Sequence, residues 1–371
     1  MLDARGGCVT MEGNIHSRDV GRTVTAPSAS STTSAPDGWN ASVAANPDGG
    51  AFFQLAEFAE IKADAGWRPR FVDAGGVAVM VLERIVPPLG RLWYVPQGPG
   101  LAEGSDPSGV LTALAAQAKK RLVFAIKFEP QLVDSPENRA ALEAAGAHRT
   151  TDVQPTFSTV WLDIRPDAET LLKGFDSKAR YNIRRAVKDG VTTAEVPIDD
   201  ASCRTFYDLF VKTAEGRFVI RPYEYYRTFW QTYARDGRGA FFFAYYEGEV
   251  ISADFVMING HLASRKDAAS VPVKKVRGAA ALLVLDTIKA LKERGVTDYD
   301  LCGAPPSDRA KDETHPLYGV GQFKTGFNKE VTDYVGTWLL PVMPLQAKAW
   351  EAGVEKAVRK AHFVVKKTPY F

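Results

Sequence analysis

The chain of 371 residues is too long for one ordinary core and suits two domains of common size with extra segments. Its 45% apolar and 24% charged residues are those of a globular enzyme, and no run approaches the roughly eighteen consecutive apolar residues of a membrane helix. A net charge of only +2 excludes a global pull toward nucleic acid, and three widely spaced cysteines (Cys8, Cys203, Cys302) with no histidine cluster exclude a disulfide framework and a zinc site. The expectation is a soluble protein of the reducing cytoplasm that uses no metal.

Residues 1–48 are expected to form a disordered tail. Their start lacks the basic residues and unbroken apolar core of a secretory signal, and Ser, Thr, Ala, Pro and Gly dominate residues 21–50. Ordered structure is expected from about Ala51, where apolar residues three and four apart predict an amphipathic helix over 52–62, ended at Gly66. Strands at 69–73 and 77–86 follow, joined by the hairpin pair Gly75-Gly76, and a third over 91–95 is broken by Pro96-Gln97-Gly98-Pro99-Gly100. Residues 110–121 predict a helix, 122–128 a buried strand, 136–145 a helix closed by Gly146, and 157–164 an alternating strand.

A similar order recurs. Helices are predicted over 199–236, an antiparallel pair at 240–246 and 250–258, a helix over 279–294 closed by Gly295, and a strand over 296–301. Helix, short buried strand and proline follow one another in both halves (Pro130; Pro305-Pro306), a faint internal duplication of an α/β unit. The expected division is a first domain over 49–165, a second over 166–340, and a basic helix over 341–371 that packs back on the first domain.

The closing block carries the most information. Tyr299-Asp300-Leu301-Cys302-Gly303-Ala304 is followed by Gly321-Gln322-Phe323-Lys324-Thr325-Gly326-Phe327 and Tyr334-Val335-Gly336. Gln54-x-x-Glu57-Phe58-Ala59-x-x-Lys62-x-x-x-Gly66-Trp67 stands at the front. Lys178-Ala179-Arg180-Tyr181-Asn182-Ile183-Arg184-Arg185-Ala186-x-Lys188-x-Gly190-Val191 and Arg221-Pro222-Tyr223-Glu224-Tyr225-Tyr226 lie between. In order and spacing, over residues 50–340, these blocks resemble the FemABX peptidyltransferases. Members of that family move an amino acid from aminoacyl-tRNA onto the stem peptide of a cell-wall precursor.

The resemblance implies two GNAT-like acyltransferase domains with mixed sheets in tandem, and no metal or bound cofactor, aminoacyl-tRNA being a co-substrate. It places Lys324 at the reaction centre beside Phe323. It gives Lys62, Arg221 and Tyr225 to the acceptor, UDP-MurNAc-pentapeptide or lipid II. The cytoplasm is the implied location, with a peripheral contact at the cytoplasmic face of the membrane. One departure stands out: where members often carry tyrosines, this chain reads His261-Leu262-Ala263-Ser264-Arg265-Lys266-Asp267, without an aromatic residue.

Aminoacyl transfer needs an amine to attack an ester carbonyl, so negative charge develops on the carbonyl oxygen and then on the departing ribose oxygen. A fixed cation lowers that barrier by roughly 3–4 kcal/mol. Lys324, between an aromatic neighbour and Gly326, suits this role; the alternative is a solvated surface lysine. Arg221 has the geometry for paired hydrogen bonds to a pyrophosphate or carboxylate, and Lys62 would add a point charge. Tyr225 shares its segment with Tyr223 and Tyr226, some of which must be core. Asp298 and Asp300 are acids near the block but equally suited to satisfying backbone donors at a loop, so the base stays unassigned.

Charge is uneven along the chain. Residues 173–188 carry six Lys/Arg against the single acid Asp176. Arg180, Arg184 and Lys188 fall four apart on one helix face, with Ile183, Ala186 and Val187 marking the buried stripe. Such a row can bind successive tRNA phosphates or be a solvated charged face. Residues 345–371 carry six Lys/Arg against two acids, a face for tRNA, for anionic lipid head groups or for water alone. Three other functions compete: aminoacyl transfer to a small metabolite, acyl-CoA-dependent N-acyl transfer through Lys275-x-x-Gly278-x-Ala280 at a helix start, and non-catalytic RNA binding.

Overall fold

The computed structural model describes residues 34–215 and 220–371. Two six-stranded sheets organise them. In the first, Arg68–Asp73, Ala78–Val86, Gly90–Val95, Val123–Phe128, Trp338–Pro341 and His148–Arg149 lie side by side in that order. The second runs Trp161–Asp163, Asp298–Asp300, Leu262–Ser270, Glu249–Asn259, Gly239–Tyr246, Thr192–Val196. Each sheet is antiparallel except for one parallel pair, Gly90–Val95 with Val123–Phe128 and Leu262–Ser270 with Asp298–Asp300. The repeated arrangement makes two GNAT-like domains, the tandem α/β fold expected.

The strands alternate faces with the period of two that a pleated backbone imposes. Val79 and Val81 enter a core beneath the helices Ser108–Lys120 and Pro136–Ala144, while Ala78, Met80 and Leu82 point the other way. In the second sheet Phe242 and Ala244 face the helices Ser177–Lys188 and Ala279–Glu293, and Phe241 and Phe243 face the opposite side. The two remaining faces share one core with the helices Ala56–Asp64, Asp200–Ala214 and Tyr223–Arg235, so a single apolar cluster joins the domains.

Three expectations are corrected. Order begins before Ala51, because Trp39–Ala44 forms a helix with Trp39 and Val43 buried. A six-residue helix is marginal alone, and burying these two side chains stabilises it by roughly 1.5–3 kcal/mol each. Asn46 then hydrogen-bonds both backbone groups of Ala78 at 2.9 Å. The rest of the expected tail, residues 1–33, lies outside the described residues.

The domain divisions at 165/166 and 340/341 also move. Trp161–Asp163 pairs with Asp298–Asp300 in the second sheet, and Trp338–Pro341 inserts into the first between Val123–Phe128 and His148–Arg149. Ser158–Thr159 and Thr332–Asp333 pair where the two segments pass each other. Each domain thus completes its sheet with a strand from beyond the expected boundary, which satisfies backbone groups an open edge would leave bare.

Finally, Val187 is 60% exposed, and the buried stripe of its helix is Ala179, Ile183 and Ala186. At the end of the chain, Pro344–Ala349 and Glu355–Lys366 are separated by a break at Gly353. They return to the first sheet through Trp350 against Phe124 and the buried Lys127–Glu355 ion pair. Among the described residues no helix is long and apolar enough to cross a membrane.

Candidate active site

The parallel pair of the second sheet is short. Leu262, Ala263 and Ser264 lie opposite Asp298, Tyr299 and Asp300, after which one strand continues to Ser270 and the other turns away at Cys302 (φ 56°) and Gly303. The gap that opens is a cavity of about 880 Å³, with Arg265 and Lys266 on one side and Leu301, Cys302 and Gly303 on the other. Lys324 and Phe323 line it.

They come from the helix Tyr318–Lys324. Gly321 lets that helix lie against Pro305, since a Cβ there would fall 2.5 Å from the proline ring. Phe327 stacks edge-on against Phe175 and Phe323 at centroid distances of 5.0 and 5.2 Å. The buried Lys324 ammonium donates to the carbonyls of Cys302 and, at 2.8 Å, Gly303. An ammonium has three donors; the third has no partner among the described residues. Burial, helped by the Arg265 charge and opposed by Asp300 and Asp254, lowers the Lys324 pKa to about 8.

A second, smaller cavity of about 230 Å³ shares Lys266, Cys302 and Gly303 with the first, so the two meet at the turn. It holds two acids. Asp300 accepts from the Thr159 hydroxyl and, at 2.7 Å, from the Cys302 N–H, the loop-satisfying role open to it from sequence; Asp298 instead lies by Thr297. Glu129, at the end of strand Val123–Phe128, accepts from Tyr94 at 2.5 Å and Thr337 at 2.8 Å, and burial raises its pKa.

Lys62, Arg221 and Tyr225 gather around a third cavity of about 570 Å³. Lys62 is buried at the end of Ala56–Asp64, its ammonium 5.2 Å from the Phe58 ring centre. Burial, then the like charges of Arg221, Arg84 and Lys266, bring its pKa down to about 7. The Arg221 guanidinium lies over Tyr225 at 4.4 Å. Neither cation is in an ion pair among the described residues, although the Glu129 charge partly opposes the fall of the Lys62 pKa, and cations around a hollow attract anions. Arg84, stacked on Trp67 at 4.0 Å, adds to it.

The basic helix divides. Arg184 and Lys188 are exposed, but Arg180 is half-buried and donates to the carbonyls of Lys173 and Phe175, tying down the loop before the helix. Lys178 and Asn182, from the first turns of the same helix, line a cavity with Phe323. Among the described residues no three His, Cys, Asp or Glu side chains gather in a metal-holding group.

From the sequence alone Glu129 has no role, and Arg265 and Lys266 are marked only as part of a run without an aromatic residue. Arg265 forms a two-pronged ion pair with buried Asp254 at 2.5 and 2.7 Å, and lies over Phe323 at 5.5 Å. The signal was present: a lone aspartate in the otherwise apolar stretch 253–258 requires a buried cation.

Residues 177–312 match the family model described as an acetyltransferase (GNAT) domain. No curated protein matches the chain in sequence. Among solved structures the chain is similar to FemX, at 19% identity with a TM-score of 0.73 over 84% of this chain and 97% of that one. It is also similar to L-PGS from Bacillus licheniformis (16%, TM-score 0.52, 88% and 98%). A conserved protein of unknown function from Bacteroides thetaiotaomicron is similar as well (12%, TM-score 0.51, 84% and 99%). The chain therefore contains a region, residues 177–312, that matches a GNAT acetyltransferase domain, within an overall fold similar to that of FemX.

Proposed function

We propose that this acyltransferase moves an amino acid from aminoacyl-tRNA to the stem-peptide amine of a peptidoglycan precursor, UDP-MurNAc-pentapeptide or lipid II. The observation that carries the reading is the pairing of two cationic hollows. One, the 880 Å³ cavity, presents the Lys324 ammonium fixed by two carbonyls, with Arg265 and Lys266 across from it; the other presents Lys62 and Arg221, neither in an ion pair among the described residues, to an anionic acceptor.

In this reading the aminoacyl ester enters the cleft between Leu262–Ser270 and the Cys302–Gly303 turn. The acceptor amine attacks the ester carbonyl, a tetrahedral oxyanion forms, and the C–O bond to the ribose breaks. Lys324, held by two carbonyls, aims its remaining N–H at the developing negative charge and needs no reorganisation to do so. With a pKa of about 8 it is charged at neutral pH yet acidic enough to hand a proton to the departing ribose oxygen. Glu129, a carboxylate lining the adjoining cavity whose pKa burial raises, serves in this reading as the base that takes the proton the amine loses. Arg221 and Lys62 hold the precursor's pyrophosphate or stem carboxylates, and the exposed Arg184 and Lys188 contact tRNA phosphates.

The test is mass spectrometry of both precursors after incubation with the protein and a mixture of charged tRNAs. A gain of one amino-acid residue, abolished by RNase, supports the reading. The GNAT match makes acyl-CoA the rival donor, so an acetyl gain in a parallel reaction with acetyl-CoA would replace it.

A further inference from the structure

Among the described residues, one place exposes adjacent large apolar side chains: Phe363, Val364 and Val365, at 54, 57 and 74% exposure. They sit at the end of the helix Glu355–Lys366. The helix cannot hide them by rolling over, because its other face is fastened. Glu355 pairs with buried Lys127, Arg359 donates to the Asp152 carbonyl at 3.1 Å, Val358 packs on the shared core, and His362 meets the Tyr370 ring edge-on.

The free face is basic as well as apolar. Lys356, Lys360, Lys366 and Lys367 are exposed around the apolar triplet, and residues 356–371 contain no acid. A basic helix with an outward apolar patch fits the interface of an anionic bilayer: the side chains enter the head-group boundary and the lysines meet lipid phosphates. RNA would use the lysines but gain nothing from Phe363, Val364 and Val365. The patch also adjoins the cavity of Lys62 and Arg221, whose rim includes His362, Lys366 and Thr368.

We propose that the outer face of Glu355–Lys366 docks on an anionic phospholipid surface and holds the mouth of the Lys62–Arg221 cavity against it, where a membrane-borne acceptor can enter. The role of that cavity rests on the function proposed above; the docking does not. The full chain would be sedimented with phosphatidylcholine vesicles, with and without phosphatidylglycerol, alongside the double variant Phe363→Ser/Val365→Asp and the variant Lys360→Glu.

The expected result is salt-sensitive binding to phosphatidylglycerol vesicles only. The double variant should lose it with an unchanged circular dichroism spectrum, and Lys360→Glu should weaken it by at least about fivefold. Turnover of a water-soluble acceptor should be unchanged in the double variant while turnover of a bilayer-embedded acceptor falls. Absence of vesicle binding by the unaltered chain would overturn the proposal, as would equal binding by the folded double variant or a loss confined to tRNA affinity. Vesicle binding without any transferase activity would leave the docking standing and remove the proposed function.

Discussion

Replacing Lys324 with methionine keeps most of the side-chain volume and removes the charge. Loss of one preorganised donor at a developing oxyanion lowers kcat by about 10²–10³, or about 2.7–4 kcal/mol. The fold should tolerate the change because two effects oppose each other. The carbonyls of Cys302 and Gly303 each lose their donor, which costs about 2–6 kcal/mol for the two. Against this, folding lowers the lysine pKa from 10.5 to about 8, so the native state disfavours the ammonium by roughly 3 kcal/mol. Stability should therefore change by between about 1 kcal/mol of gain and about 3 kcal/mol of loss. Steady-state transfer to the soluble precursor separates kcat from acceptor KM, and thermal unfolding reads the fold. A folded variant whose kcat stays within about tenfold of the parent, an effect below about 1.4 kcal/mol, would refute the role of Lys324.

In the proposed mechanism the ammonium is the acting form of Lys324, so kcat should fall as pH rises through about 8. Both Lys324 and Lys62 have folded pKa values below their ordinary 10.5. The unfolded chain thus binds more protons between about pH 7 and 10.5, and the contribution of these groups to stability should rise with pH across that window in denaturant titrations. Lys62→Met should hold or raise the melting temperature at pH 6, because it removes an unpaired buried charge, while raising the acceptor KM by about tenfold or more. Arg184→Glu with Lys188→Glu should weaken tRNA binding and make its logarithmic salt dependence shallower by about one to two units, measured by fluorescence anisotropy. Gly321→Ala drives a methyl to 2.5 Å from the Pro305 ring and should displace the helix bearing Lys324, so kcat should drop with little change in KM.

Local signals carried most elements into view. The hairpin at Gly75-Gly76, the strand Val123–Phe128 and the helix Ala279–Glu293 lie where period and punctuation place them. What escaped was long-range. No pattern in 338–341 says that it will insert beside Val123–Phe128, and nothing in 161–163 announces a partner at Asp298–Asp300. Trp39–Ala44 was hidden among Pro36, Gly38, Pro47 and Gly49, because its stability comes from Trp39 and Asn46 meeting distant parts of the chain. The motif pointed to Lys324 and Phe323, which line one cavity, while a separate cavity gathers Lys62, Arg221 and Tyr225 from segments far apart in sequence. Arg180 looked equivalent to Arg184 by spacing alone, yet its guanidinium is spent on two backbone carbonyls. Glu129 gave no sequence signal beyond its place before Pro130.

Aminoacyl transfer is tested most directly by the mass of UDP-MurNAc-pentapeptide and lipid II after incubation with the protein and charged tRNAs. The expected result is a gain of one amino-acid residue that RNase abolishes and Lys324→Met suppresses. No gain on either precursor, with an acetyl group appearing instead when acetyl-CoA is supplied, would contradict it.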